Sequence, residues 1–218
     1  MKLAIDIGSQ KINAGLFEGD RLVQALQVKR PEELLEFLKG KTIEQGLVAG
    51  ESKELMNQGF PCRALVSSDF KRLATDEIFP LLRPDRIANI FGALYHFPSN
   101  DCVIVDIGTT IRFDYVTKHG VYLGGAIFPT IITGQLPPAL GKDQLSQEKS
   151  GCYFGLLGAI ERIVAELRLS SETPSGVMTI ATGGRSRIMQ KDLEDFIDKV
   201  DTELTLVGLN QILKEVKT

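Results

Sequence analysis

The apolar positions of the chain fall into two series with the same order. Leu3-Ala4-Ile5-Asp6-Ile7-Gly8-Ser9 returns 100 residues later as Val103-Ile104-Val105-Asp106-Ile107-Gly108-Thr109. After each copy comes a β-branched or aromatic run, Lys11 to Phe17 and Thr110 to Val116. A Gly-containing turn follows (Glu18-Gly19-Asp20, Lys118-His119-Gly120), then a further apolar run, Leu22 to Val28 and Val121 to Ile127. Runs of this length and composition bounded by turn residues read as strands. Each half is therefore expected to form strand, tight Asp-x-Gly-Ser/Thr turn, strand, hairpin, strand.

The remaining segments alternate helix and strand. Pro31 to Leu38 has proline at its start, acids in its first turn and leucines at 34, 35 and 38, which suits a helix. Gly46 to Ala49 and Ala64 to Val66 read as short buried strands, and Arg86 to Tyr95 as a helix with Ile87, Ile90, Phe91 and Leu94 at helical spacing. Pro84-Asp85 then lies at or just before that helix start. Ser150 to Leu167 reads as a long helix whose Gly151, Gly155 and Gly158 near one side would admit another backbone. Val177 to Ala181 reads as a strand, and Leu193 to Val200 and Leu206 to Val216 as amphipathic helices. The turn cluster Phe97-Pro98-Ser99-Asn100 divides the halves. The pattern predicts a duplicated α/β domain with a cleft between the copies.

A strand that ends in Asp-x-Gly-Ser/Thr and turns into a second strand gathers a carboxylate, a backbone N–H and a hydroxyl. Glycine permits the tight turn and close approach of a ligand. Successive N–H groups there can accept phosphate oxygens, while the Asp holds a hydrated cation. One such turn is equally well a simple turn former; two of the same order in the same context favour a shared nucleotide site. Neither G-x-x-x-x-G-K-[ST] nor G-x-G-x-x-G occurs. Gly183-Gly184 is either a backbone-approach point for an adenosine or an ordinary strand-to-helix turn. Asp85 at a helix N-terminus is stabilised as the anion by the helix dipole and can accept a proton from a hydroxyl, with Arg86 available for a substrate carboxylate; its plain alternative is an N-cap beside a solvated arginine. His96 and His119 have no acidic or cysteine neighbours at ligand spacing.

The overall composition narrows the classes. Across 218 residues, 25 Lys and Arg stand against 28 Asp and Glu, a formal charge of -3 and a pI near 5.5, without the basic excess that nucleic-acid binding needs. No nucleic acid is expected as a partner. The opening Met1 to Asp6 lacks the apolar region of a secretory signal, and no stretch approaches the roughly 20 apolar residues of a membrane span. Residence in a reducing cytoplasm follows, with no membrane association. Cys62, Cys102 and Cys152 offer neither a disulfide framework nor a zinc site, and read as small buried apolar residues.

In combination, these residues resemble the type III pantothenate kinases, within the superfamily of sugar kinases, heat-shock chaperone ATPases and actin. Asp6-Ile7-Gly8, Pro84-Asp85-Arg86-Ile87-Ala88-Asn89, Asp106-Ile107-Gly108-Thr109, Tyr122-Leu123-Gly124-Gly125-Ala126-Ile127, Ala181-Thr182-Gly183-Gly184 and the closing Val200 to Leu209 follow that family's order. The resemblance implies duplicated ribonuclease H-like (actin-like ATPase) domains, each a mixed five-stranded sheet flanked by helices: an N-terminal lobe over 1–98 and a C-terminal lobe over 99–218. It implies transfer of the ATP γ-phosphoryl group to the 4'-hydroxyl of pantothenate, the first step of coenzyme A synthesis. Asp6, Ile7, Gly8, Ser9, Gln10, Lys11, Ile12 and Asn13 would bind ATP phosphates, and Thr109 would contact ATP. Asp85 would be the proton acceptor, and Arg83, Pro84, Asp85 and Arg86 would hold pantothenate, with Gln144 at the acceptor position. Mg2+ would accompany ATP, and Asp106 would ligate K+ or NH4+. A homodimer is expected through the helix near Gly151 to Leu167.

The chain departs from the family's pattern at defined points. Ser9-Gln10 replaces Asn-Thr, Arg83 replaces Gly, Thr130 replaces Gly, and Gly141-Lys142-Asp143-Gln144 stands where Gly-Lys-Asn-Thr is usual. The loop after Leu136 is short. Three readings follow: a working pantothenate kinase, a non-catalytic relative that binds nucleotide or a partner, and a kinase or nucleotide hydrolase for another small hydroxyl compound.

Overall fold

Two five-stranded sheets of identical strand order organise the chain. The computed structural model describes residues 1–8, 11–50, 62–66, 82–129 and 136–215. Among these, the first sheet holds β1 (Lys2–Ile7), β2 (Ile12–Glu18), β3 (Arg21–Val28), β4 (Gln45–Ala49) and β5 (Cys62–Ala64) in the order β3-β2-β1-β4-β5. The second holds β6 (Cys102–Ile107), β7 (Thr110–Val116), β8 (Tyr122–Pro129), β9 (Met178–Thr182) and β10 (Lys199–Val200) in the order β8-β7-β6-β9-β10. In each, the first three strands form an antiparallel meander, and the strand after the crossover lies parallel to the first. Both sheets are thus mixed, and the sequence repeat is a structural repeat.

The chain divides into two units, Met1–Pro98 with Glu203–Thr218, and Ser99–Thr202. The expected second lobe of 99–218 is corrected accordingly: its last helix packs in the first unit. In that unit α1 (Pro31–Leu38) covers one sheet face, with Leu34 and Leu38 against Leu3, Ile5, Ala14 and Leu16. Helices α2 (Pro84–His96) and α5 (Leu204–Glu215) pack closely together, and α5 lies over β1, β2 and β4. Two glycines set their separation. A Cβ on Gly208 would come 1.7 Å from the Ala88 carbonyl oxygen, and one on Gly92 2.6 Å from that of Leu204. The buried Asn89 accepts from the Thr205 hydroxyl at 2.7 Å. These contacts tie the C-terminal helix to the unit that begins the chain.

In the second unit, Val103, Val105, Ile107, Ile111 and Phe113 form a core with Tyr153, Leu156, Ile160 and Val164 of α3 (Gln144–Leu169) and Met189 and Leu193 of α4 (Ser186–Leu193). The alternation of a strand leaves Cys102, Ile104 and Asp106 on the opposite face. Helix α3 starts six residues before the expected Ser150 because Asp143 caps it: its carboxylate accepts from the Ser146 amide at 2.9 Å and the Ser146 hydroxyl accepts from the Asp143 amide at 3.1 Å. The expected helix Leu193 to Val200 is not formed. Helix α4 ends at Leu193 and the chain returns as β10, because the Asp198 carboxylate accepts from the Thr179 amide at 2.7 Å and from Arg168 at 2.7 Å, pinning the segment to β9.

Smaller differences remain. Strand β5 lies two residues earlier than the expected Ala64 to Val66. Cys102 is buried and Cys62 half-buried, and burial pushes their thiols up to about 12 and about 11. Cys152 is exposed on α3, contrary to expectation, because it lies off the face carrying Tyr153, Leu156 and Ile160. Among the described residues no helix is long and apolar enough to cross a membrane.

Candidate active site

Each sheet builds the same device at the end of its central strand. In the first unit β1 ends at Asp6-Ile7 and the Gly8 amide donates to the Lys11 carbonyl at 2.9 Å, closing the turn into β2. In the second, β6 ends at Asp106-Ile107 and the Gly108 amide donates to the Thr110 carbonyl at 3.1 Å. A glycine with positive φ follows the neighbouring parallel strand in both: Gly50 (φ 104) after β4 and Gly183 (φ 90) after β9. A Cβ at Gly50 would lie 2.9 Å from the Ile7 carbonyl oxygen, and one at Gly183 2.7 Å from that of Ile107 and 2.4 Å from Asp106 Oδ1. Only a residue without a side chain lets the two strand ends close in this way. Gly183 was legible as a backbone-approach point; Gly50 was missed, although Val48-Ala49-Gly50 holds the same place in its sheet.

The turns differ by one residue, and the difference changes each aspartate's partner. The strand pairs nearest the turns are Ile7 with Ile12 and Ile107 with Ile111, so Asp6 faces Asn13 while Asp106 faces Arg112. In the first unit the Asn13 amide donates to Asp6 Oδ2 at 3.1 Å, the Gln27 amide donates to Asn13 Oδ1 at 2.8 Å, and Lys11 Nζ donates to Gln27 Oε1 at 2.7 Å. A polar chain thus runs across three strands to the turn. In the second unit Arg112 Nη1 lies 3.4 Å from Asp106 Oδ2, an ion pair whose side chains are only 19% and 14% exposed. Arg185 Nη1 donates to the Gly108 carbonyl at 3.0 Å and its amide to the Ile107 carbonyl at 3.1 Å. Thr182, the register partner of Asp106 on β9, has a buried hydroxyl without a hydrogen bond among the described residues. Arg112, Arg185 and Gln27 carry no motif of their own; the spacing from Asp106 across a tight turn was the signal for Arg112.

Of the remaining expected site residues, Ile12 is a buried first residue of β2 and Thr109 an exposed turn residue. Ser9, Gln10 and Thr130 lie outside the described residues. Arg83 is the extended N-cap of α2, Pro84 its first residue, and Asp85 sits in the first turn rather than at the cap. Asp85 Oδ1 accepts from the Arg86 amide at 3.0 Å, and Arg83 Nε lies 3.3 Å from the same oxygen. The arginine is 61% exposed and the aspartate 19%. Gln144, the first residue of α3, is exposed and donates to Glu148 Oε1 at 2.9 Å. Beside it the Asp143 carboxyl is held below its usual range by hydrogen bonds from Ser146, the backbone one foremost. Among the described residues no group of three His, Cys, Asp or Glu is placed to hold a metal ion.

A family model for type III pantothenate kinase matches residues 82–166, which run from α2 through the second turn into α3. A type III pantothenate kinase of Dehalococcoides mccartyi is 29% identical over 96% of this chain and 94% of its own length. The chain is thus similar to the type III pantothenate kinases. Two solved structures share its fold. An activator of the 2-hydroxyisocaproyl-CoA dehydratase from Clostridium difficile, solved with bound ADPNP, is 12% identical and superposes with a TM-score of 0.61 over 100% of this chain and 98% of that one. An inorganic polyphosphate/ATP-glucomannokinase from Arthrobacter sp. strain KM, 14% identical, superposes with a TM-score of 0.55 over 98% of both chains. The duplicated ribonuclease H-like fold expected of a type III pantothenate kinase relative is therefore the fold of this chain.

Proposed function

We propose that the chain phosphorylates the 4'-hydroxyl of pantothenate with ATP, the first step of coenzyme A biosynthesis, in the cytoplasm. The observation that carries this reading is the Asp-x-Gly turn built twice, each time closed by a backbone hydrogen bond and overlain by a left-handed glycine. Amides and carboxylates held in such turns are suited to triphosphate oxygens and their counter-ions. In this reading Asp6 to Asn13 hold phosphates, Thr109 contacts ATP, and Arg83 to Arg86 with Gln144 hold pantothenate. The hydroxyl oxygen bonds to the γ-phosphorus, the bond from that phosphorus to the β,γ-bridging oxygen breaks, ADP leaves, and the hydroxyl proton passes to Asp85. Such a transfer asks mainly for positioning and charge neutralisation. Asp6 presents the hard carboxylate oxygens that suit Mg2+, which when bound neutralises phosphate charge.

A monovalent cation fits less well. Asp106, which the resemblance pairs with K+ or NH4+, already faces the Arg112 guanidinium at 3.4 Å in a half-buried ion pair. A second cation on that carboxylate would meet the guanidinium where solvent screens little.

A second reading, binding without turnover, rests on Arg83. Its guanidinium pairs with the carboxylate that must take the proton, so a substrate hydroxyl must compete with it for that carboxylate. The arginine is mostly exposed, however, and such a pair is worth only about 0–1 kcal/mol, so substrate can displace it. Turnover is the favoured reading. Purified protein with Mg-ATP should convert pantothenate to its 4'-phosphate, and Asp85→Asn should lower the rate by about 10²–10⁴-fold while melting like the parent. Retained turnover in that variant removes Asp85 from the role of base. ATP consumption stimulated by another hydroxyl compound, but not by pantothenate, would assign a different acceptor.

A homodimer belongs to the same reading. Gly151, Phe154, Gly155 and Gly158 share an exposed face of α3, and beyond the adjoining backbone of the helix itself no described atom lies within 4 Å of a Cβ built on any of the three glycines. The expected close approach is therefore open to a second copy of the chain.

A further inference from the structure

The aspartates that end β1 and β6 face different partners across their sheets. Asp6 is bonded by a neutral amide, from Asn13, at 3.1 Å. Asp106 is bonded by a guanidinium, from Arg112, at 3.4 Å. The cause is the one-residue shorter turn, which brings Arg112 of β7 into register with Asp106. Antiparallel register partners point to the same face, so this pairing is set by the sheet and not by a chance excursion of a long side chain. Both side chains are largely withdrawn from water.

We propose that Arg112 is a built-in cation that takes the place of a soluble monovalent ion at Asp106, so that nucleotide binding by this chain is independent of K+ and NH4+. The proposal rests on the reading of the second turn as part of the nucleotide site. A carboxylate facing polyphosphate repels it unless its charge is offset, and an exchangeable K+ is one way to do so. A guanidinium covalently tethered one strand away is another: it stays ionised at every physiological pH and carries no cost of capture from solution. Arg185, bonded to the Gly108 carbonyl at 3.0 Å, adds a second fixed positive charge beside the same turn. Removing Arg112 leaves the Asp106 carboxylate beside the buried Thr182 hydroxyl, which has no hydrogen bond among the described residues. Carboxylate and hydroxyl oxygens are the donor types that hard cations take, so the variant should recruit the ion that the parent does not need.

The test uses the full chain in two measurements, each in KCl and in N-methylglucamine chloride at matched ionic strength. The first is thermal melting without nucleotide; the second is calorimetric titration with Mg-ADP. The parent should melt at the same temperature in both salts and bind Mg-ADP with the same Kd. Arg112→Ala should bind at least about tenfold more weakly in N-methylglucamine, recover most of that loss in KCl, and melt higher as KCl rises to saturation. Arg112→Lys, which restores a fixed cation, should remain indifferent to K+ and guards against a variant that fails to fold. A parent that melts saturably higher in KCl, or an Arg112→Ala protein as indifferent to K+ as the parent, would overturn the proposal. If no protein binds Mg-ADP in either salt, the nucleotide reading fails, and the ligand-free melts still decide whether Arg112 stands in for the ion.

Discussion

Replacing Gly183 by alanine pits the backbone of one strand against the end of the next. At φ 90 an L-residue is strained, by about 1–2 kcal/mol. The new methyl would also lie 2.4 Å from Asp106 Oδ1 and 2.7 Å from the Ile107 carbonyl oxygen. The carboxylate can swing aside, at the expense of its contact with Arg112. The carbonyl cannot, because it accepts from the Arg185 amide at 3.1 Å within a sheet where Ile107, Ile111 and Ala181 are fully buried. Overpacking of this kind costs about 1–3 kcal/mol, so the substitution should destabilise the protein by about 2–5 kcal/mol, a large part of a typical total of about 5–15 kcal/mol. Gly184→Ala is the control: no described atom lies within 4 Å of its Cβ and its φ is not positive, so its effect should stay within about 0.5 kcal/mol. Urea unfolding followed by circular dichroism reads both variants, and Mg-ADP titration of folded Gly183→Ala should show weakened binding. Equal stability of the two variants would refute the reasoning.

Other expected outcomes follow from the same structure. Hydrogen bonds from Ser146 hold the Asp143 carboxyl below its usual range, so the cap of α3 contributes its full stability above the ordinary aspartate pKa and loses it as pH falls through the lowered value. An acid titration of helicity should therefore show a difference between the parent and Asp143→Ala that shrinks below the ordinary aspartate pKa and vanishes below the lowered value, and a constant difference down to the lowest pH would exclude the carboxylate as the cause. Light scattering should give twice the 24.0 kDa chain mass, and Gly155→Arg, which places a long cation on the open face of α3, should give the monomer; a monomeric parent would dismiss the homodimer.

Much of this molecule is written in local pattern. The Asp-x-Gly repeat, the hairpins that follow it, α1 and the start of α2 with Pro84 depend on strand alternation, turn residues and helix-start chemistry, all of which act within a few residues. The candidate site was legible to the same extent, as two aspartates, their glycines and an acid in the first turn of a helix. What the one-dimensional order concealed was decided by contacts between distant segments. The C-terminal helix joins the first unit because Gly208 and Gly92 let it meet α2 backbone to backbone. The segment after Leu193 becomes a strand because Asp198 is captured by Thr179 and Arg168. Arg112 becomes the partner of Asp106 only through cross-strand register, which a one-residue change in a turn resets for every side chain beyond it. Propensity names the elements; the energy of burying and bonding their far-apart residues chooses which charges meet.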